Sequence, residues 1–280
     1  MNVTDFEIIA QLLKERSGLA LNKEKAYLLE SRLNPVARKW NFSGFDELAQ
    51  AIRNRGEEAL LVDVTEAMTT NESFFFRDQK PFDQFNEIVL PYLLEARAAR
   101  RSFRIWSAAC SSGQEPYTLA MLLKEHADKL AGWRVEIVAT DLSNEILDKA
   151  KEGLYSQFEV QRGLPIAHLV KYFAQVGDRW QIDESLRKMI KFQQFNLLGD
   201  LSILGKFDVV FCRNVLIYFD MPTKTQVLNG IADRLPADGF LYLGGAETVL
   251  GTTDRFEIMQ GHRGIYSLAS AHAEKAKVAS

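Results

Sequence analysis

The feature that most constrains the fold is an alternation of predicted strands and helices that begins near Phe103 and continues almost to the end of the chain. Six apolar stretches are predicted as strands, namely FRIWSAA, RVEIVATDL, MIKFQQFNL, FDVVFCRNV, FLYLGG and GIYSLA. Helical stretches such as QEPYTLAMLLKEHA, NEILDKAKEG and TKTQVLNGIADRL fall between them. Such alternation predicts an α/β fold with a mainly parallel sheet. Only a loop separates the last two strands, so we expect an antiparallel edge there.

The chain before this alternation is predicted to be helical. We expect a small all-helical N-terminal domain over residues 1–75, a sheet domain over 76–270 and a disordered tail over 271–280. The sheet domain is predicted to carry a small inserted β-subdomain at about 155–188, in which RWQID is a short strand. We interpret TTNESFFFRD, Thr69–Asp78, as a helical segment that acts either as a domain-joining hinge or as a lid over a ligand.

Composition and charge exclude several classes of protein. The net charge of −3 gives the 280-residue chain no general attraction for polyanions. Cys110 and Cys212 are too few for the disulfide framework of a small secreted protein. The N-terminus lacks the pattern of a signal peptide, and no stretch reaches the ~20 apolar residues of a membrane span. From these three features we expect a cytoplasmic location. The four histidines are scattered, so we expect no metal site.

The stretch WSAACSSGQEPYTLAM joins the first predicted strand to a helix, which is where open parallel sheets bind ligands. It holds a single glycine, Gly113, whereas a dinucleotide-binding loop has three. Glu115 places a carboxylate in the first helical turn, where a phosphate would otherwise bind. The pattern therefore favours a ligand that carries positive charge or hydroxyl groups. The alternative is an ordinary strand–helix turn.

Polar residues also end the neighbouring strands. Asp141 follows an apolar strand, where an acidic residue can hold both hydroxyls of a ribose. The alternative is a helix N-cap, although Ser143 or Asn144 suits that role better. Arg213 and Asn214 interrupt a buried strand and need partners or a ligand, unless that strand end is solvated. Asn196–Leu197 repeats this geometry on another strand.

Four motifs in order then point to a family. TTNESFFFRD, WSAACSSGQEPYTLAM, ATDLS and FDVVFCRNVLIYFD together closely resemble the chemotaxis receptor methyltransferases of the CheR family, over nearly the whole chain. The resemblance implies a Rossmann-like domain that uses S-adenosylmethionine to methylate glutamate side chains on methyl-accepting chemotaxis receptors. The products are glutamate methyl esters and S-adenosylhomocysteine. It further implies a monomer that acts on the cytoplasmic methylation region of receptors, without nucleic acid and without membrane insertion.

The resemblance also implies the site residues. Those expected to line the cofactor pocket are Asn71, Ser73, Arg77, Ala109, Glu115, Asp141, Asn196, Leu197, Arg213 and Asn214. Glu115 would meet the ammonium of the methionine end, and Asp141 would hold the ribose hydroxyls. Asn196 and Leu197 would flank the adenine. Arg77 and Tyr218 would lie nearest the reacting methyl group, so they are the predicted catalytic residues.

Basic residues on the second predicted helix suggest how a glutamate-rich receptor is held. Lys25, Arg32 and Lys39 recur every seven residues, with Arg38 beside them, and share a face if the helix continues through Pro35. We expect them to dock the receptor, the alternative being a solvated helix face. Some family members also tether a receptor C-terminal peptide through the inserted subdomain. Because this chain lacks an obvious glycine-rich loop of that kind, we expect a peptide-independent enzyme.

Three other functions are weighed against this one. A methyltransferase for nucleic acid or a small molecule is the first, although no Asn-Pro-Pro-Tyr-like motif is present. A non-catalytic scaffold that keeps the fold is the second, and the intact set of predicted site residues argues against it. A nicotinamide dehydrogenase is the least favoured, because the chain has no phosphate-binding glycine loop.

Overall fold

The N-terminal part of the chain is helical, as predicted. The computed structural model describes residues 3–54 and 56–269, so the predicted disordered tail at 271–280 lies outside the described residues. The helices are α1 (Val3–Ser17), a 3₁₀ turn (Lys23–Lys25), α2 (Ala26–Lys39), α3 (Phe45–Arg53) and α4 (Glu58–Ala67). Helix α2 does continue through Pro35. Leu13, Leu33, Leu48 and Val64 meet in a core that belongs to these helices alone.

The rest of the described chain alternates between helices and strands. The helices are α5 (Lys80–Gln84), a π-helical turn (Phe85–Val89), α6 (Leu90–Ala96), α7 (Gln114–Glu125), α8 (Asn144–Glu152), α9 (Gln157–Gln161), α10 (Ile166–Tyr172), α11 (Glu184–Arg187) and α12 (Met221–Ala232). The strands are β1 (Ser102–Ala108), β2 (Arg134–Asp141), β3 (Leu154–Ser156), β4 (Phe173–Val176), β5 (Arg179–Ile182), β6 (Ile190–Gln194), β7 (Val209–Cys212), β8 (Phe240–Leu243), β9 (Phe256–Ile258) and β10 (Ile265–Leu268). Short 3₁₀ helices occupy Leu201–Leu204 and Leu216–Tyr218.

Within the described residues, seven strands form the main sheet in the order β6-β2-β1-β7-β8-β10-β9. Strands β6, β2, β1, β7 and β8 are parallel, which confirms the predicted α/β fold. After β1 the chain builds outward through β2 and β6, and it then returns to the other side of β1 as β7. The strand order therefore reverses between β1 and β7. In open sheets of this type, ligands bind beyond the carboxyl ends of the strands at such a switch point.

The antiparallel edge is confirmed, but its composition differs from the prediction. β10 pairs with β8 in antiparallel register, Ile265 opposite Tyr242. An additional strand, β9, pairs with β10 at the outer edge, and the sequence analysis did not predict it. β9 is three residues long and only its first residue, Phe256, is buried. So short a stretch has too little alternation to stand out from a loop.

The predicted inserted subdomain contains a separate three-stranded sheet in the order β3-β5-β4. RWQID is confirmed as a strand, because β5 covers Arg179–Ile182 and pairs antiparallel with both neighbours. Helices α9 and α10 connect β3 to β4. The capping box of α9 is complete, with Ser156 accepting from the Glu159 amide and Glu159 accepting from the Ser156 amide.

The prediction that TTNESFFFRD is helical is wrong. Residues 69–74 have no regular structure, and 75–78 form a turn in which Phe76 (φ 51°) and Asp78 (φ 67°) are left-handed. Phe75 is buried against Tyr155 and Phe173, so it packs within the sheet domain. A Cβ at Gly163 (φ 84°) would stand 2.1 Å from the Phe75 carbonyl oxygen. Tertiary packing of the phenylalanines therefore overrides the local helical tendency.

The chain is divided into two compact units. The first takes the chain up to Thr70 together with Tyr218–Lys224, and the second takes Asn71–Ile217 and the chain from Thr225 onwards. Tyr218–Lys224 joins the first unit because Gly18 and Ala20 pack on it: Ala20 N donates to the Tyr218 carbonyl, at 2.9 Å. Within the described ranges, no helix has both the length and the apolar character to cross a bilayer.

Candidate active site

The loop after β1 has an unusual backbone. Ala109 (φ 54°), Ser111 (φ 52°) and Gly113 (φ 92°) are all left-handed, and Gly113 is the N-cap of α7. Left-handed non-glycine residues cost free energy and concentrate at functional sites. A Cβ at Gly113 would also approach the Ala150 Cβ to 3.0 Å and the Tyr117 ring to 3.1 Å. This loop is therefore not an ordinary strand–helix turn.

Asp141 holds this loop in place from the end of β2. Its buried carboxylate accepts the Ser111 amide at 2.8 Å and the Ser143 amide at 3.1 Å. The Ser111 hydroxyl in turn donates to the Asn71 carbonyl at 2.9 Å. Ser143 is the N-cap of α8 and accepts from Ile146, so the alternative role of Asp141 as the cap is wrong. A carboxylate has about four acceptor sites, so Asp141 can hold these amides and still accept from hydroxyls of a ligand.

Arg213, just after β7, is the centre of the charged part of the site. Its side chain is only 1% exposed, and Nη1 donates to Glu115 Oε2 at 2.8 Å. Nη2 donates to Asp78 Oδ2 at 2.8 Å and to the Arg77 carbonyl at 2.9 Å. The Ser107 hydroxyl donates to the other oxygen of Glu115, also at 2.8 Å. The alternative of a solvated strand end is therefore wrong for Arg213.

Arg77 directly precedes Asp78 in the sequence, and its side chain is half-buried. Its Nη1 donates to the Glu72 carbonyl at 2.8 Å, and its guanidinium stands 5.5 Å from the centre of the Phe74 ring. Arg162, from the inserted subdomain, lies 4.3 Å from the same ring and pairs with the Glu72 carboxylate at 2.7 Å. These contacts are exposed, and exposed charged contacts contribute little free energy, so the Arg77 guanidinium can be redirected to a substrate at low cost.

Glu247 is a residue that holds this edge of the sheet in place and that the sequence analysis missed. Its buried carboxylate accepts four backbone amides, from Gly244 at 2.7 Å, Asn214 at 2.8 Å, Val215 at 2.9 Å and Ile217 at 3.3 Å. It thereby fixes the loop after β7, where Asn214 is left-handed (φ 60°). The signal that could have found it is the one that found Asp141, an acidic residue soon after an apolar strand.

Replacing Glu247 by alanine should lower the free energy of unfolding by about 2–3 kcal/mol, since it leaves buried amides without an acceptor. Denaturant unfolding of the purified protein measures this. The control is Glu184→Ala, which removes an exposed carboxylate that pairs with Lys188 and should change stability by less than about 0.5 kcal/mol. Equal effects of the two substitutions would contradict the role given to Glu247.

The remaining predicted site residues are placed as follows. Asn196 accepts the Leu198 amide at 3.0 Å through its side chain and so shapes the turn after β6, where Leu197 is buried. Ser73 is half-buried in the irregular segment. Tyr218 ends a 3₁₀ helix and belongs to the first compact unit. The structure thus brings together Asn71, Glu115, Asp141, Arg213 and the Arg77 backbone at the ends of β1, β2 and β7. The position of Tyr218 at the methyl group stays a prediction.

The two cysteines near this edge are buried and protonated. Burial raises the pKa of the Cys110 thiol well above its usual value, and the Asp141 and Glu115 carboxylates raise it further. Burial also raises the pKa of Cys212, reinforced by Glu247 and Glu115. Since the thiolate is the reactive form, neither cysteine is suited to act as a nucleophile.

The predicted docking cations have unequal environments. Arg32 is half-buried and donates to the Met68 and Thr69 carbonyls at 2.9 and 3.0 Å, so it caps the end of α4. Lys39 pairs with Asp63 at 2.8 Å. Arg38 is exposed and, within the residues that the structure describes, has no side-chain partner. The side chain of Lys25 lies outside the described part of the structure.

Comparison with known proteins identifies the class that this fold and site define. Residues 71–265 match the family described as "CheR methyltransferase, SAM binding domain", and residues 4–69 match "CheR methyltransferase, all-alpha domain". The chain therefore belongs to the CheR methyltransferase family. S-adenosylmethionine is its cofactor, and its activity is S-adenosylmethionine-dependent methylation in chemotaxis.

Individual relatives are similar over almost their whole length. The chain is 41% identical over 267 residues to "Chemotaxis protein methyltransferase 1" of Pseudomonas aeruginosa, covering 93% of this chain and 96% of the relative. It is 38% identical to a chemotaxis protein methyltransferase of Vibrio anguillarum, covering 93% and 95%. It is 39% identical to "Chemotaxis protein methyltransferase Cher2" of Pseudomonas putida, covering 93% and 96%.

The residues present fit this cofactor. S-adenosylmethionine carries an ammonium, a sulfonium and two ribose hydroxyls but no phosphate, and the switch point offers the carboxylates of Glu115 and Asp141 without a glycine-rich phosphate loop. The Nε–H of Arg213 is buried and, among the described residues, has no hydrogen-bond partner. A ligand group that accepts a hydrogen bond would satisfy it. The donor and acceptor set therefore suits an amino-acid-like end with both an ammonium and a carboxylate.

Proposed function

We propose that the chain transfers a methyl group from S-adenosylmethionine to glutamate side chains on methyl-accepting chemotaxis receptors, giving glutamate methyl esters and S-adenosylhomocysteine. The observation that carries this proposal is membership of the CheR family over both of its domains. The proposed partner is the cytoplasmic methylation region of the receptor. The site described above supports the proposal, because methyl transfer to glutamate requires only a bound cofactor and a positioned carboxylate.

The chemistry makes modest demands on the protein. The cofactor supplies a methyl group already activated on a sulfonium. A glutamate carboxylate has an ordinary pKa of about 4.3, so it is ionised near neutral pH and needs no general base. The buried thiols of Cys110 and Cys212 are protonated and do not compete for the methyl group. The task left to the protein is to align the acceptor oxygen with the methyl group, which is catalysis by proximity and orientation.

In this proposal the residues at the switch point hold the cofactor. Glu115 pairs with the ammonium. Arg213, which already pairs with Glu115, contributes its Nε–H, which has no partner among the described residues, to the carboxylate of the same amino-acid end. Asp141 accepts from the ribose hydroxyls while it keeps the loop amides. Asn196 and Leu197 flank the adenine, and Asn71, Ser73, Ala109 and Asn214 complete the pocket.

Arg77 and Tyr218 are the proposed catalytic residues. Arg77 orients the substrate carboxylate, and Tyr218 shapes the methyl-transfer site. An Arg–carboxylate pair that is too strong would stabilise the bound substrate as much as the transition state and would not raise kcat. The weak contacts of Arg77 with Glu72 and Phe74 are consistent with a guanidinium that guides the substrate and does not hold it rigidly.

Replacing Arg77 by alanine should lower kcat for receptor methylation by about 10- to 100-fold, which is the loss of one orienting contact. S-adenosylmethionine binding should weaken less than this. The matched control is Arg162→Ala, because Arg162 contacts the same Phe74 ring and the same Glu72. A wild-type methylation rate for the Arg77 variant would remove Arg77 from the mechanism.

Arg38 gives the cleanest test of receptor docking, since reversing Arg32 would also remove the cap of α4. Arg38→Glu should lower kcat/KM about 3- to 10-fold at low ionic strength, and the difference should shrink as salt screens the charges. The control is Lys151→Glu, which makes the same charge change on α8. If kcat/KM of the Arg38 variant is unchanged at low salt, α2 is not the docking face.

The substrate class is tested by offering labelled S-adenosylmethionine together with a glutamate-rich receptor cytoplasmic fragment, total RNA and a small-molecule extract in parallel reactions. We expect the receptor fragment to become labelled, and the amount of label should increase with the concentration of enzyme. Transfer to RNA or to a small molecule, with none to the fragment, would favour the other methyltransferase classes. Absence of cofactor binding by calorimetry would instead favour the non-catalytic scaffold.

A further inference from the structure

A large basic cavity lies at the amino-terminal edge of the main sheet, at the end opposite to the site described above. Its volume is about 1020 Å³, and its walls come from the starts of β1, β2 and β6 and from the residues just before β7. Two carboxylates line it, those of Glu136 and Asp208. Six basic side chains line it as well, those of Arg100, Arg104, Arg134, Lys188, Lys191 and Lys206.

The two carboxylates are already neutralised by protein groups. Asp208 is buried and pairs with Arg97 at 2.8 Å and with Arg100, and it also accepts the Arg104 amide at 2.9 Å. Glu136 accepts from Nε of Arg104 at 2.6 Å. These carboxylates therefore fix two arginines in place and do not oppose an incoming anion.

The other four cations are largely available. Neither Arg134 nor Lys191 has a side-chain partner in the described parts of the chain. Lys188 makes an exposed ion pair with Glu184, and Lys206 donates to a backbone carbonyl, that of Asp233. The net charge of the whole chain is −3, so this concentration of positive charge is local and is not a property of the surface in general.

The shape and chemistry of the cavity favour one class of ligand. The Arg134 guanidinium can bind phosphate oxygens in a bidentate way, and several phosphates are needed to satisfy the four available cations. Apolar side chains of Val135, Met189 and Pro236 also line the cavity and can contact an organic ring. Small-molecule sites have volumes of about 300–1,000 Å³, so the space is that of a nucleotide.

We propose that this cavity binds a small organic polyphosphate of nucleotide size, at a site separate from that of S-adenosylmethionine. β1 and β7 run between the two edges: Arg104 and Asp208 stand at the cavity, whereas Ser107 and Arg213 stand at the carboxyl edge. The polyphosphate and the cofactor therefore bind at the same time. This proposal does not depend on which substrate receives the methyl group.

Calorimetric titration of the full chain with ATP, inorganic tripolyphosphate and adenosine at about 50 mM salt tests the proposal. ATP and tripolyphosphate are expected to bind, and adenosine is expected to bind much more weakly. The double variant Arg134→Glu/Lys191→Glu should weaken ATP binding by at least about 10-fold and leave S-adenosylmethionine binding unchanged. Both replaced side chains are exposed, and a melting temperature equal to that of the wild type confirms that the variant is folded.

The control is Lys151→Glu/Arg179→Glu, which makes the same charge change on α8 and β5 outside the cavity and should leave ATP binding as it was. Four results would overturn the proposal: no binding of either phosphate compound, equal weakening by the two double variants, competition between ATP and S-adenosylmethionine, or a glutamate-rich peptide that displaces ATP from the cavity. The last would make this edge a surface for acidic protein segments.

Discussion

Arg213→Met is expected to lower the free energy of unfolding by about 3–5 kcal/mol, the range for breaking a buried ion pair by removing one partner. Arg213 is 1% exposed and donates to two carboxylates, Glu115 and Asp78. Methionine fills most of the space but leaves the Glu115 carboxylate, which is only 12% exposed, without its cation. Denaturant unfolding of the purified variant measures the change.

The control for this substitution is Arg255→Met, because Arg255 also pairs with a carboxylate, that of Asp233, but both side chains are about half exposed. It should cost less than about 1 kcal/mol. A second test combines Arg213→Met with Glu115→Gln. The double variant should lose less stability than the two single variants together, since neutralising Glu115 relieves the charge that Arg213→Met leaves unpaired. Additive losses would mean that the two side chains are not coupled.

Glu115→Gln is expected to weaken S-adenosylmethionine binding about 30-fold, which corresponds to about 2 kcal/mol. The substitution keeps the shape of the side chain and one oxygen that can accept from Ser107 or Arg213. Asp78 still neutralises Arg213, so stability should fall by only about 1 kcal/mol. Cofactor binding should therefore suffer more than folding does. Calorimetric titration and denaturant unfolding of the same preparation separate the two effects.

Glu145→Gln is the matched control for that experiment. Glu145 is also the acidic residue in the first turn of a helix that follows a parallel strand, but it is exposed. Its replacement should leave both cofactor affinity and stability nearly unchanged. If Glu115→Gln behaves in the same way, Glu115 serves only to favour the start of α7 and takes no part in holding the cofactor.

Much of the fold follows from local pattern. The parallel strands β7 and β8 are continuous apolar runs, β1, β2 and β6 are largely apolar or alternating stretches, and helices lie between them. That pattern permits few other arrangements. The polar residues that end these strands, Asp141 and Arg213 among them, were predicted for the same reason. A buried strand that ends in a charged residue must supply that residue with a partner.

What the pattern could not predict depends on contacts between distant parts of the chain. TTNESFFFRD is irregular because Phe75 packs on Tyr155 and Phe173, about 80 to 100 positions further on. Spacing within a helix does not show that Arg32 caps α4, since the acceptors lie 36 and 37 residues away. The partners of Arg213 lie 98 and 135 residues before it. Sequence pattern predicted that such side chains need partners, but only the fold supplies them.

The proposed glutamate methylation is tested most directly by the chemistry of the bond that is formed. A receptor cytoplasmic fragment is labelled with S-adenosylmethionine that carries a labelled methyl group, and the labelled fragment is then treated with alkali. An ester on a glutamate side chain releases the label as methanol, and a fragment whose methylation-site glutamates are replaced by glutamine takes up no label. Label that survives alkali, or that appears equally in the glutamine fragment, would contradict glutamate O-methylation.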